Sequence, residues 1–167
     1  MKNSLSDYRT GGVGALLDEY ERAVEELKTI IQSIGEEKYF RIADTETENE
    51  ECRSIQTMMS HIVDAGYAYA NDLRPLFLMN VEPYQFKIIS YQAFNGEVDK
   101  MFAYTVETLE GKLELSYAEI DEIVYISPSG YKQDLEQILE HAIVHILRHR
   151  RQTEKFLLKF ESEKISN

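Results

Sequence analysis

The chain has 167 residues, 30 acidic against 18 basic side chains, a formal net charge of −12 and 43% hydrophobic residues. That is enough for one globular domain with a continuous core, expected over about 14–160 of a single 1–167 unit. The acidity argues against nucleic acid and against an anionic membrane surface, since both need a basic face.

The one cysteine, Cys52, cannot close an internal disulfide and is compatible with a reducing compartment. The start of the chain lacks an apolar leader core, and no run approaches the roughly 18 apolar residues that span a bilayer. The expectation is a soluble, cytoplasmic protein.

Along the chain, helical periodicity appears four times. The first segment, 14–34, places Leu17, Tyr20, Val24, Leu27, Ile31 and Ile34 three and four apart, and Gly35 stops it. Gly11, Gly12 and Gly14 read as a flexible lead-in, because no strand precedes them as a phosphate-cradling turn would need. Residues 36–52 are polar and acidic and read as a solvated connector; no turn glycine is present for a calcium loop.

A second helix starts at Ser54, carries Met58, His61, Ala65 and Ala68 on one face, and ends by Pro75. A third is expected from Pro83 or Tyr84 to Leu109, with Tyr91, Phe94, Val98, Met101 and Phe102 inward and Gly111 as its stop. In 112–130 the stretch 123–126 has strand-like composition but no evident partner, so an extended crossover is expected. The fourth helix begins near Tyr131 or Lys132 and runs to about Phe160. Four amphipathic helices with long connectors make an all-α four-helix bundle, whose core is built from facing helices.

The histidines carry the chemistry. All four sit on apolar helical faces: His61, and His141, His145 and His149 at four-residue intervals. In the last helix Leu135, Ile138, Ala142, His145, His149, Gln152 and Phe156 define a seam of alternating three and four spacings. His145 and His149 occupy seam positions where leucine would ordinarily sit, and His141 falls on the flank. The rise from His141 to His149 is about 12 Å, too far for one ion. The gripping pair is therefore His141/His145 or His145/His149, and the seam favours the second.

His61 faces inward from the second helix. Three neutral imidazoles from two helices leave an ion with open positions, a catalytic rather than closed arrangement. Zinc suits these ligands best, with nickel, iron or manganese as alternatives. The competing reading is a set of hydrogen-bonded core histidines, which would have to satisfy two buried polar rings.

The pattern Ser60-His61-Ile62-Val63, followed late by His145-Ile146-Leu147-Arg148-His149-Arg150-Arg151-Gln152, resembles the DinB/YfiT-like superfamily. The resemblance implies a left-handed bundle with an up-down-down-up path. It also implies a divalent metal held by His61, His145 and His149. Two departures are visible: Arg151 stands where the family often has glycine, and the chain has no tryptophan.

Relatives imply a metal-dependent transferase using a low-molecular-weight thiol, or a hydrolase using metal-bound water. A non-catalytic metal-binding or stress-response bundle, paired as a homodimer, is the alternative. Asp64, three residues after His61, is the candidate catalytic base. Arg148, sharing a flank with His141, is the candidate contact for an anionic thiol cofactor. Tyr67, Tyr69 and Tyr104 are candidate pocket rings, and a small-molecule substrate is expected.

Overall fold

A computed structural model describes residues 4–165. Four long helices form the frame: α1 (Gly11–Ile34), α3 (Ile55–Leu73), α4 (Phe94–Thr108) and α6 (Leu135–Ile165). Two short helices, α2 (Glu36–Phe40) and α5 (Tyr117–Glu122), and the hairpin β1 (Val124–Ile126) with β2 (Lys132–Asp134) lie in the connectors.

Side-chain contacts fix the path. Lys28 of α1 meets Asp99 and Tyr20 meets Met101, so α1 and α4 run antiparallel. Gly66 faces Met101 and Arg74 meets Glu107, so α3 and α4 run parallel. His61 meets His145 and His149 while Tyr69 meets His141, so α3 and α6 run antiparallel. Arg150 pairs with Glu26, and Leu17 shares a cluster with Leu135 and Ile138, so α6 runs with α1. The result is the expected up-down-down-up bundle.

Burial follows the periodicities. Every seam residue expected in α1 is buried, and so are Leu135, Ile138, Ala142, His145, His149 and Phe156 in α6. In α3 the buried row is Ile55, Met59, Ile62, Gly66, Ala70 and Leu73, whereas Ala68 is exposed. The small residue that matters is Gly66, where a Cβ would come within 2.3 Å of Met101 Sδ. His61 sits on the flank of that row, toward α6.

Four expectations are corrected. Residues 84–93 are not helical, and α4 begins only at Phe94. The chain before it is held extended by side chains: Ile89 N–H donates to Ser60 Oγ, and its carbonyl accepts from Tyr39 Oη and Gln56 Nε2. Those bonds replace helical ones. Ser90 then starts the helix by accepting from the N–H groups of Ala93 and Phe94.

The strand-like stretch does have a partner, since Tyr125 opposes Gln133 across a turn closed by Gly130 at φ 83°. That pairing delays α6 to Leu135, where Asp134 and Gln137 exchange backbone-to-side-chain bonds as a cap. The connector 36–52 is not simply solvated either, because Tyr39 of α2 is fully buried. Finally, Gly11, Gly12 and Gly14 belong to the first turn of α1. Gly11 has φ 76°, and a Cβ there would overlap the Leu113 carbonyl, so the close approach requires glycine.

Candidate metal centre

Two helices bring three imidazoles together. His145 and His149, one turn apart on α6, project from its buried seam, and both are at least nine-tenths buried. His61 reaches them from α3, its side chain 24% exposed. Ser60, beside it, bonds the Gln56 carbonyl and the Ile89 N–H, which ties this turn of α3 to the extended segment.

The approach is through matching atoms. His61 Nε2 lies 3.0 Å from His145 Nε2, and His149 Nε2 lies 3.2 Å from the same atom. One nitrogen from each ring falls within a cluster no wider than 4.8 Å. Tetrahedral ligation at about 2.0–2.1 Å would hold nitrogens about 3.3 Å apart, so the observed spacings suit a common ion.

Proton positions decide what the cluster is for. His61 Nδ1 donates to Glu51 Oε2 at 3.0 Å, and His149 Nδ1 donates to Gln152 Oε1 at 3.3 Å. In the neutral ring with its proton on Nδ1, each of those histidines presents a bare lone pair at Nε2. His145 Nε2 carries at most one hydrogen, so it can satisfy one of the two lone pairs facing it and not both. A cation at the centre removes the conflict by accepting all three.

The electrostatics agree. Burial, followed by the charges His149 and His61 would carry, holds His145 down to about 3, and burial followed by His61 also lowers His149. Both are thus kept neutral, the form a metal requires.

The other expected residues fall around this centre. His141 is exposed on α6, its ring 5.3 Å from that of Tyr69 and outside the triad, as the seam implied. Tyr69 also touches His145, edge-on at 5.9 Å. Tyr67 stacks on Tyr84 at 4.5 Å and meets the Tyr104 ring at 5.2 Å, and Tyr104 donates to Asn71.

Asp64 lies nearly one turn beyond His61, half-buried. Its carboxyl is raised by burial, with the His61 charge opposing and Glu51 adding to the rise. Arg148 is exposed and lines a cleft of about 670 Å³ whose wall also includes His149 and Gln152. Arg150 pairs outward with Glu26 and Glu154.

Glu51 is the residue that sequence reading missed. It sits in a short 3-10 turn, Glu50–Cys52, inside an acidic run that looked uniformly solvated. The available signal was Asn49, whose side chain caps that turn, followed at once by the Ser54 capping box that fixes the entry to α3.

A family model for the DinB family matches residues 1–157. The chain belongs to the DinB family. No curated protein sequence matches it. For this DinB protein, the three histidines singled out by seam and motif are the ones the fold brings within reach of a single ion.

Proposed function

We propose that this DinB protein binds one divalent metal ion through His61, His145 and His149 and is a metal-dependent enzyme acting on small molecules. The observation carrying the reading is the convergence of three Nε2 atoms, two of them made lone-pair bearing by Glu51 and Gln152. The all-imidazole set favours zinc, with nickel, iron or manganese as alternatives. When bound, such an ion acts as a Lewis acid and makes a thiol or water acidic enough to be a nucleophile near neutral pH.

The protein's own residues supply the rest. Glu51 orients His61 and strengthens it as a donor, as a carboxylate behind a ligand imidazole does. Asp64, raised by burial, holds or accepts a proton beside His61. Arg148 faces the cleft and is suited to an anionic group on the incoming molecule.

Transfer involving a low-molecular-weight thiol is the favoured reaction, with hydrolysis as the neighbouring one. The partly exposed His61 side chain and the cleft that adjoins at His149 favour catalysis over a closed, non-catalytic metal site. Among the described residues no helix is long and apolar enough to cross a membrane. The free Cys52 agrees with a cytoplasmic setting.

The test is metal content by plasma mass spectrometry on untagged protein purified without chelator, followed by thiol-transfer and ester or amide hydrolysis assays. Near one equivalent of a transition ion supports the reading. Protein that stays empty and refuses added metal overturns it.

A further inference from the structure

The overall acidity hides one basic strip. Along α6, Arg148, Arg151, Lys155 and Lys159 fall on one face and line a cleft of about 670 Å³, with Phe156 beside them. On the outer side of the same helix, Arg150 is neutralised by Glu26 and Glu154.

No carboxylate among the described residues lies within ion-pairing distance of Arg148, Arg151 or Lys155. Lys159 donates to the Ala43 carbonyl at 2.6 Å, which ties α6 to the opposite wall. That wall contributes Asp44 and Glu46. Asp44 is occupied in its own turn, accepting from the N–H groups of Glu46 and Thr47.

Three unpaired cations beside one another repel, in a chain with twelve surplus negative charges available to neutralise them. Cations left this way fit a missing anion. The cleft meets the histidine cluster at His149 and Gln152. By helix rise, Arg151 and Lys155 stand only about 3 Å and 9 Å along the axis from His149.

We infer that this cleft is the binding subsite for a small anionic molecule, one bearing a carboxylate or phosphate held by Arg148, Arg151 and Lys155. An apolar part would lie against Phe156, and the reactive end would reach the metal centre past His149. This names the substrate class for the proposed reaction, and in that respect rests on the metal reading. The anion site itself stands without the metal. The guanidinium forks of Arg148 and Arg151 suit either oxyanion bidentately, and Glu46 is the like charge that would weigh against a second acidic group.

The test is titration calorimetry at low ionic strength on the full chain, with phenyl phosphate and glutarate as separate probes. The expected result is saturable binding of at least one probe, weakened by added salt. Combining R148Q, R151Q and K155Q should weaken it roughly tenfold or more, with metal stoichiometry unchanged. Glu46→Gln should tighten it.

The same titration on His145→Ala protein separates the two readings. Anion binding that survives in protein unable to hold metal supports the subsite independently. If neither probe saturates below about 10 mM, or the triple substitution leaves affinity within about twofold, the inference is overturned even where metal is bound. The probe that binds more tightly assigns the head group as phosphate or carboxylate.

Discussion

Two polar clusters are built into this bundle, and they are made on opposite principles. Near the C-terminal end of α3, Arg74 is 3% exposed yet surrounded by complements. It donates to Glu107 at 2.7 Å and lies 3.8 Å over the Tyr104 ring. Tyr104 in turn donates to Asn71 at 2.7 Å, accepts from the Glu82 N–H, and Asn71 donates to the Glu82 carbonyl. Apart from Arg74 Nε, which has no partner, donors there meet acceptors.

At the other end of α3, two lone-pair nitrogens, on His61 and His149, face the single Nε2 of His145, and Glu51 and Gln152 behind them keep that mismatch in place. A buried polar group costs free energy unless it is satisfied. The Arg74 cluster answers that cost within the chain, whereas the histidine cluster leaves one lone pair facing another and has the spacing to hold an ion. Balanced polar burial serves the fold; unbalanced polar burial marks the site.

The largest effect should come from removing the central ring. His145→Ala should abolish stoichiometric metal binding, read by mass spectrometry, because it removes the nitrogen to which both other rings are directed. Metal at a thousand times its dissociation constant stabilises by about 4 kcal/mol, roughly 8–16 °C in Tm for a chain of this size. Wild-type protein should show that rise over its chelator-treated form in calorimetry, and His145→Ala should show none. A variant that kept one equivalent of metal would break the contrast between the clusters.

The Arg74 cluster should answer in the other coin. Arg74→Ala removes a buried stem and a cation–π contact but leaves Glu107, 60% exposed, in water. The expected cost is about 2–3 kcal/mol of unfolding free energy by denaturant titration, with metal content unchanged. Loss of metal in this variant would mean that the two ends of α3 are coupled.

The histidine half of this contrast is legible in the sequence; the Arg74 half is not. The seam of α6 placed His145 and His149 inside and His141 outside because helical spacing alone decides that. His61 could be assigned inward on the same grounds, although the true buried row of α3 runs through Gly66 and leaves Ala68 exposed. What could not be read were contacts between segments distant in sequence. Ile89 is held extended by Ser60, Tyr39 and Gln56, and no local pattern shows that three remote side chains will outbid a helix there. Glu51 was hidden for the same reason: its meaning lies in His61, across a turn and a capped helix start.

Glu51→Gln sharpens the comparison at that hidden residue. A glutamine can still accept from His61 Nδ1, but without the charge that makes the imidazole a better donor. The expected loss is about 10–100-fold in metal affinity, measured by chelator competition. The change in metal-free stability should be under about 1 kcal/mol, since both partners are partly solvated. A larger stability loss with unaltered affinity would make Glu51 a structural partner of the Arg74 kind.

The smallest effect is expected one turn along α6. His141 has the same four-residue interval from His145 that His149 has, so that interval taken by itself, without the apolar seam around it, would make the two equivalent. The fold does not: His141 is exposed and lies against Tyr69, whereas His149 meets His145 through Nε2. His141→Ala should therefore leave metal stoichiometry at one equivalent and change affinity less than about threefold, an energy below about 0.7 kcal/mol. His149→Ala, measured beside it, should lose most of the affinity. Equal losses in the two variants would require His145 to pair with the solvent side of α6 as readily as with its seam, and the unbalanced lone pairs would then have no claim to be the site.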